Sequence, residues 1–276
     1  MLILSQIFLY PIKSLAGIQV QSWLVDKNGL RYDRKWMLVD EDGQFMSQRR
    51  LPQMALIKTR IEQDHLIVSA AGMEDMRLAL QPDGGDDIEV IIWHDRCAAK
   101  IVSKQADEWF SEFLNTKCSL VYHPDGSTRQ VDQRYAKRDD QTAFADGFPF
   151  LITAESSLQA LNEAMPFAIG MNRFRPNLVI SGCDRYAEDS WRRIRVNDIE
   201  FRLPKPCSRC SVPGINPDTA ISDKETLLML SRLRKWENRV YFGQNALHDS
   251  LGKLAVGNAV DVLETGSRQP PVNVEF

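Results

Sequence analysis

At 276 residues the chain can hold one large domain or two small ones around a buried core. Its hydrophobic fraction of 43% and charged fraction of 26% are ordinary for a soluble globular protein. A formal net charge of −3 argues against a nucleic-acid polymer as partner, yet a local basic cluster can still hold a small anion.

The opening run MLILSQIFLYPIKSLAG is broken by Ser5, Gln6 and Pro11. It is too short for a signal peptide or a membrane helix, which needs about 20 apolar residues. Ile3–Tyr10 is predicted instead to be a first strand, and no membrane association is expected. Further strands are predicted at Gln19–Trp23, Lys35–Asp40, Ala55–Glu62, His65–Ser69 and Ile88–Trp93. Lys27-Asn28-Gly29, Glu41-Asp42-Gly43 and Asp83-Gly84-Gly85 supply the positive φ of tight turns. Short strands at such even spacing predict a barrel or sandwich rather than alternating βα units.

Helical spacing of apolar residues predicts helices at Gln105–Leu114, Ala154–Ala164 and Ser222–Trp236. The last has Ser222 or Asp223 as N-cap and basic residues in its final turn. Residues 123–146 are polar and read as a long loop or boundary, Lys253–Leu263 as a final pair of strands, and Gly266–Phe276 as linker.

Five cysteines, an odd number without export features, predict reduced thiols and a cytoplasmic location. The most informative segment is Cys207-Ser-Arg-Cys210, for which three chemistries compete. Structural zinc needs four ligands, but Cys97, Cys118 and Cys183 are isolated and His65, His94, His123 and His248 are scattered. A thioredoxin-like redox pair starts a helix, whereas Pro204, Pro206 and Pro213 make this stretch a rigid loop after the strand-like Ile199–Leu203. The third chemistry is a soft-metal thiolate, favoured by the neighbouring Lys205 and Arg209. Four more segments offer donors for an anionic organic ligand: Tyr10–Ser14, Asp33–Trp36, Asn172–Asn177 and Phe242–Asn245. Taken singly, each is more readily explained as solvated surface.

YPIKS, DRKWMLVDEDG, FPFLIT, RFRPNLVISG, YAEDSW and PCSRCSVPGINPDT occur in that order. Over residues 1 to about 264 this pattern resembles MOSC-domain proteins of the YcbX and amidoxime-reducing-component type. The resemblance implies a mainly β (α+β) fold: a MOSC N-terminal β-barrel domain over residues 1–120, a MOSC β-barrel domain with a few helices over 121–264, and a tail or linker over 265–276. It implies a molybdenum cofactor (molybdopterin) between the two parts, with Cys210 as metal ligand and Cys207 in support. Carried over as cofactor-binding residues are Lys13, Ser14, Arg34, Arg175, Asn177, Ser208, Arg209 and Asn245. Asn245 stands where some relatives have Tyr, and Gly147 and Phe148 replace small hydroxyl residues, which leaves only backbone contacts there.

The activity so implied is reduction of N-hydroxylated compounds (amidoximes, hydroxylamines, N-hydroxylated base analogues) and of S-oxides. A family-level association with pyridoxal phosphate comes with it. Asp146, just before FPF, is the candidate catalytic carboxylate for proton handling or substrate positioning, with a loop-capping role as its structural alternative. No C-x₄-C-x₂-C…C set follows Cys210, so no iron–sulfur cluster is expected and electrons must come from a separate ferredoxin-type or flavoprotein donor. The rivals are a non-catalytic carrier of cofactor or sulfur and a barrel that binds some other anion.

Overall fold

The computed structural model describes residues 1–82 and 84–272. The first residue of the Asp83-Gly84-Gly85 turn and the last four of the Gly266–Phe276 segment lie outside the described residues.

Seven strands close into a barrel, in the spatial order Phe150–Ala154, Leu178–Ser181, Leu2–Leu9, Ala259–Thr265, Trp191–Val196, Ile199–Ser208 and Arg239–His248. Pairing of Arg239–His248 with Phe150–Ala154 completes the ring. Closure leaves no open edge, and alternate side chains fill the interior with Leu4, Ile7, Phe150, Ile194 and Phe201. Within the closing strand Gly243 takes φ +74 close against Thr153; a Cβ there would lie 2.6 Å from Thr153 Cγ2.

Trp36–Val39, Ser119–Tyr122, Asp95–Ile101 and Asp87–Ile92 form a four-stranded sheet; Lys58–Glu62, His65–Ser69 and Met76–Ala79 form a three-stranded one. These and the helix Lys104–Leu114 enclose a second core around Trp36, Leu66, Phe110 and Leu120. Ser103 caps that helix, its Oγ accepting from Ala106 N at 3.1 Å. Among the described residues the fold is mostly β with three α-helices, in keeping with the mainly β expectation. No helix among the described residues is long and apolar enough to cross a membrane.

Several local expectations are corrected. Ala55 belongs to a 3-10 turn, Pro52–Leu56, because Pro52 starts a helical turn, and the strand begins at Lys58. The last helix spans Glu225–Arg234; Ser222 is not its cap, though Asp223 Oδ1 accepts from Thr226 N at 2.8 Å. Trp236 pairs with Arg239 in a hairpin instead of continuing that helix. The proline-rich stretch is a loop only in part: Ile199–Ser208 is one strand, whose register shifts between Arg202 and Lys205 and between Pro206 and Ser208, while Arg209 and Cys210 follow it outside any strand and Pro213 lies in the 3-10 turn Val212–Gly214. Bulges absorb prolines that cannot donate to the ladder. Residues 266–272 are docked, with Gln269 N bonded to Asp189 O at 2.9 Å and Gln244 Nε2 to Gln269 O at 2.8 Å.

Candidate functional site

The segments that cross between barrel and sheets carry the polar residues. Tyr10, Pro11 and Lys13 leave the first barrel strand and join Trp36 in the four-stranded sheet through Lys13 N to Trp36 O at 2.8 Å and Trp36 N to Pro11 O at 3.1 Å. Arg34 N donates to Tyr10 O at 2.7 Å, and Phe144 N to Arg34 O at 2.9 Å. Between them opens one cleft, lined by Lys13, Ser14, Arg34, Asp146, Arg175, Asn177, Arg209, Cys210 and Asn245, together with Cys207. Lys13 and Asn245, 232 positions apart in sequence, thus line one cleft.

Strain collects there. Ser14, Arg34 and Arg175 have φ of 68, 48 and 56, in the left-handed region that L side chains rarely adopt. The chain turns sharply at each of them to put a side chain on the cleft.

Arg34 donates to Asp33 Oδ2 at 2.5 Å, to Asn177 Oδ1 at 3.1 Å and to Arg175 O at 3.2 Å. Asn177, buried at 1% exposure, also accepts from Leu151 N at 3.2 Å, so its amide braces Arg34 rather than standing free for a ligand. The guanidiniums of Arg34 and Arg175 each sit 4.3 Å from the Tyr10 ring centroid. Burial, reinforced by Arg34, draws Arg175 down to about 10. Its Nη1 donates to Leu15 O at 2.5 Å, while its Nη2 is buried without an acceptor.

Burial also pulls Lys13 below its usual value, against the opposing pull of Asp146. Its ammonium lies 2.8 Å from Phe144 O and 2.5 Å from Asp146 Oδ1. Burial alone would raise the Asp146 carboxyl, but Lys13 and the Trp93 indole N–H outweigh it and hold the group well below the carboxylate range. Asp146 is hemmed in by protein, yet its side chain is 72% exposed because it faces the open cleft. An ionised carboxylate in that position accepts hydrogen bonds and cannot donate one.

Cys210 is exposed on the cleft wall, and Cys207 is half-buried with its Sγ 3.0 Å from Arg209 Nη1. Arg209 also donates to Phe174 O at 2.7 Å, and its Nε is buried without an acceptor. Asn245 donates to Pro206 O at 3.3 Å. Ser208 does not line the cleft: it is exposed at the end of the strand Ile199–Ser208, beside the register shift between Pro206 and Ser208. Among the described residues no three Cys, His, Asp or Glu side chains gather, so the cysteine pair lacks the partners that structural zinc requires.

Sequence reasoning missed Phe45, Ser47, Gln48, Arg49 and Trp93 in the lining. It also missed Arg129, which is 5% exposed inside the polar 123–146 segment. That residue ties down the Asp146 loop by donating to Ala143 O at 3.0 Å and Ala145 O at 2.5 Å, and pairs with Asp95 at 2.6 Å. A motif with a bulky residue in a two-residue turn, Trp93-His94, was the available signal for Trp93.

Among described side chains, Lys13 is paired with Asp146 and Arg34 with Asp33, while Arg49, Arg175 and Arg209 have no carboxylate partner. The uncompensated charge suits an anionic ligand.

The description "MOSC N-terminal beta barrel domain" matches residues 1–117 and "MOSC domain" residues 139–261. Mitochondrial amidoxime-reducing component 1 of Mus musculus is 33% identical, over 94% of this chain and 82% of that protein. Its Homo sapiens counterpart is 31% identical over the same shares. Molybdenum cofactor sulfurase of Oryza sativa subsp. japonica is 29% identical, over 87% of this chain but 32% of that protein.

Proposed function

Since the chain belongs to the MOSC family, with the family's N-terminal barrel domain and the mitochondrial amidoxime-reducing components as relatives, we propose that it is a molybdenum-cofactor-dependent reductase of N-hydroxylated compounds. It would act in the cytoplasm on electrons delivered by a separate iron–sulfur or flavin protein. The observation that carries this reading is one exposed thiol, Cys210, in a cleft with three guanidiniums that lack carboxylates.

Those residues fit the cofactor. The buried Arg175 Nη2 and Arg209 Nε lack acceptors that a phosphate or pterin edge can supply, and the sulfur of an exposed free cysteine suits a soft metal. Lys13, Ser14, Arg34, Arg175 and Arg209 would hold the organic part, with Cys210 as the metal's protein ligand and Cys207 fixed aside by Arg209. When bound, the cofactor supplies two-electron reduction at an open metal position.

The chain's own side chains do the rest. Arg34 and Arg175, locked by Asp33, Leu15 O and Tyr10, present fixed donors whose orientation costs little at binding. Asp146 stays ionised at neutral pH and is a weak base, so it positions a substrate N–H and does not serve as the acid.

Cys210→Ala tests the reading. The variant is expected to fold, to lose molybdenum and to lose benzamidoxime reduction with an artificial electron donor, whereas Cys207→Ala keeps metal. Full activity in Cys210→Ala rejects the ligand role. If wild-type protein holds molybdenum yet turns over neither benzamidoxime nor hydroxylaminopurine, the cofactor-carrier reading replaces it, in line with the sulfurase similarity.

A further inference from the structure

Trp93 and His94 form the two-residue turn between strands Asp87–Ile92 and Asp95–Ile101. Such turns favour Asn or Gly because they need positive φ. Here a tryptophan takes φ 58 and remains 43% exposed, so neither backbone preference nor burial explains the residue. Its ring is fixed instead by Phe45, with centroids 4.9 Å apart, and by the Arg49 guanidinium at 4.2 Å. So held, the indole Nε1 donates to Asp146 Oδ1 at 3.2 Å.

Lys13 Nζ binds that same oxygen at 2.5 Å. Both protein donors therefore converge on Oδ1, and among the described residues none donates to Oδ2, on a side chain that is 72% exposed. An open carboxylate oxygen at fixed orientation, in the cleft that Cys210 also lines, asks its ligand for a donor.

We propose that Trp93 and Asp146 form a substrate-selecting pair, in which Asp146 Oδ2 accepts a hydrogen bond from an N–H of the ligand and Trp93 positions the carboxylate. The pair favours planar compounds that carry an N–H beside the N–OH carbon, such as amidoximes and N-hydroxyguanidines. It disfavours tertiary amine N-oxides and S-oxides, which bring no donor and leave Oδ2 desolvated and unpaired. This rests on the reductase reading for the identity of the reaction. The selection itself is a binding property and can be measured without turnover.

The test uses molybdenum-loaded protein without an electron donor. Benzamidoxime and N,N-dimethylaniline N-oxide are titrated calorimetrically into wild type, Asp146→Asn and Trp93→Phe, with the molybdenum content of each recorded. Wild type is expected to prefer benzamidoxime by about ten- to a hundredfold, the range of one charge-assisted hydrogen bond. Asp146→Asn should bring the ratio close to one. Trp93→Phe keeps the ring but not the N–H, and should lower the ratio about threefold or more, within the range of a neutral hydrogen bond. With an electron donor added, the Trp93→Phe effect should fall on KM and leave kcat little changed. Equal affinities in wild type overturn the proposal. So does an unchanged ratio in both variants, or an Asp146→Asn protein that loses molybdenum while Trp93→Phe matches wild type, since Asp146 would then serve Lys13 alone. Absence of turnover with all substrates, alongside the predicted binding ratios, would instead count against the reductase reading.

Discussion

Arg175→Met separates a residue that holds the fold from one that holds a ligand. The guanidinium sits at about 10 in place of 12.5, displaced mainly by burial and then by Arg34. That shift corresponds to about 3 kcal/mol spent on keeping the charge in the cofactor-free protein at neutral pH. Met relieves the cost, but it removes the donor to Leu15 O and the stacking on Tyr10, losses of about 1–3 kcal/mol together. Cofactor-free Arg175→Met should therefore be as stable as wild type, or more stable by about 1–2 kcal/mol, in urea unfolding. Molybdenum retention should move the other way. Loss of one charge-assisted contact from the otherwise unpartnered Nη2 weakens anion binding about ten- to a hundredfold. Metal-to-protein ratios after extended dialysis read this directly. A variant that loses several kcal/mol without cofactor, or that keeps wild-type molybdenum, would show that Arg175 is a structural residue and refute the charge argument.

His123 is fully buried with both ring nitrogens unpartnered, and burial lowers it to about 4 from 6.5. The native state resists its protonation, so stability present above pH 6.5 is lost as pH falls toward 4, by about 3 kcal/mol at most. His123→Phe, which can keep the edge contact with Phe144, should remove most of that loss in denaturation curves taken across this window. Glu188 is buried beside Asp189, and burial with that neighbour raises it up to about 7 from 4.5. Its contribution has the opposite sign: full below pH 4.5 and lost as pH rises through about 7, so Glu188→Gln should flatten the decline between pH 5 and 8. Gly243→Ala forces a Cβ to 2.6 Å from Thr153 Cγ2 at φ +74, and should cost about 2 kcal/mol or more in thermal or urea unfolding, with the barrel's closing strand affected first in hydrogen exchange.

The site was more legible than the fold that builds it. Lys13, Arg34 and Arg175 stand out because each follows or precedes an apolar strand at a turn, and the cleft gathers all three with Cys210. Ser208 is the carried-over residue that does not line the cleft: it is exposed at the irregular end of the strand Ile199–Ser208, where the register shifts, and sequence spacing gives no sign of that. Prolines hid that strand, since they signal loops unless bulges accommodate them. Arg129 hid in a segment whose polarity reads as solvated, although its guanidinium is satisfied internally by two carbonyls and Asp95. Partner choice was the least accessible property. Nothing in the pattern of Leu2–Leu9 says that it pairs with Leu178–Ser181 and Ala259–Thr265, because a hydrophobic strand specifies a buried face and not the strand beside it.

That long-range pairing explains why the cleft lies where it does. The first strand is a stave of the barrel, yet three residues after it the chain bridges Ile12 to Trp36 in the other sheet. Crossing so abruptly requires turns that helix or strand cannot supply, and Ser14, Arg34 and Arg175 take left-handed backbone on or beside the crossing. Left-handed positions suit Gly or Asn on local grounds, so arginine at two of them is unfavourable by conformation and by charge at once. Both costs fall on the same side chains, and both guanidiniums share one aromatic ring, Tyr10, as their apolar support. Stability alone would replace them. Their presence in a seam with three uncompensated cations makes sense when the missing negative charge arrives with a ligand, whose binding then repairs the electrostatic imbalance and ties the barrel to the sheets.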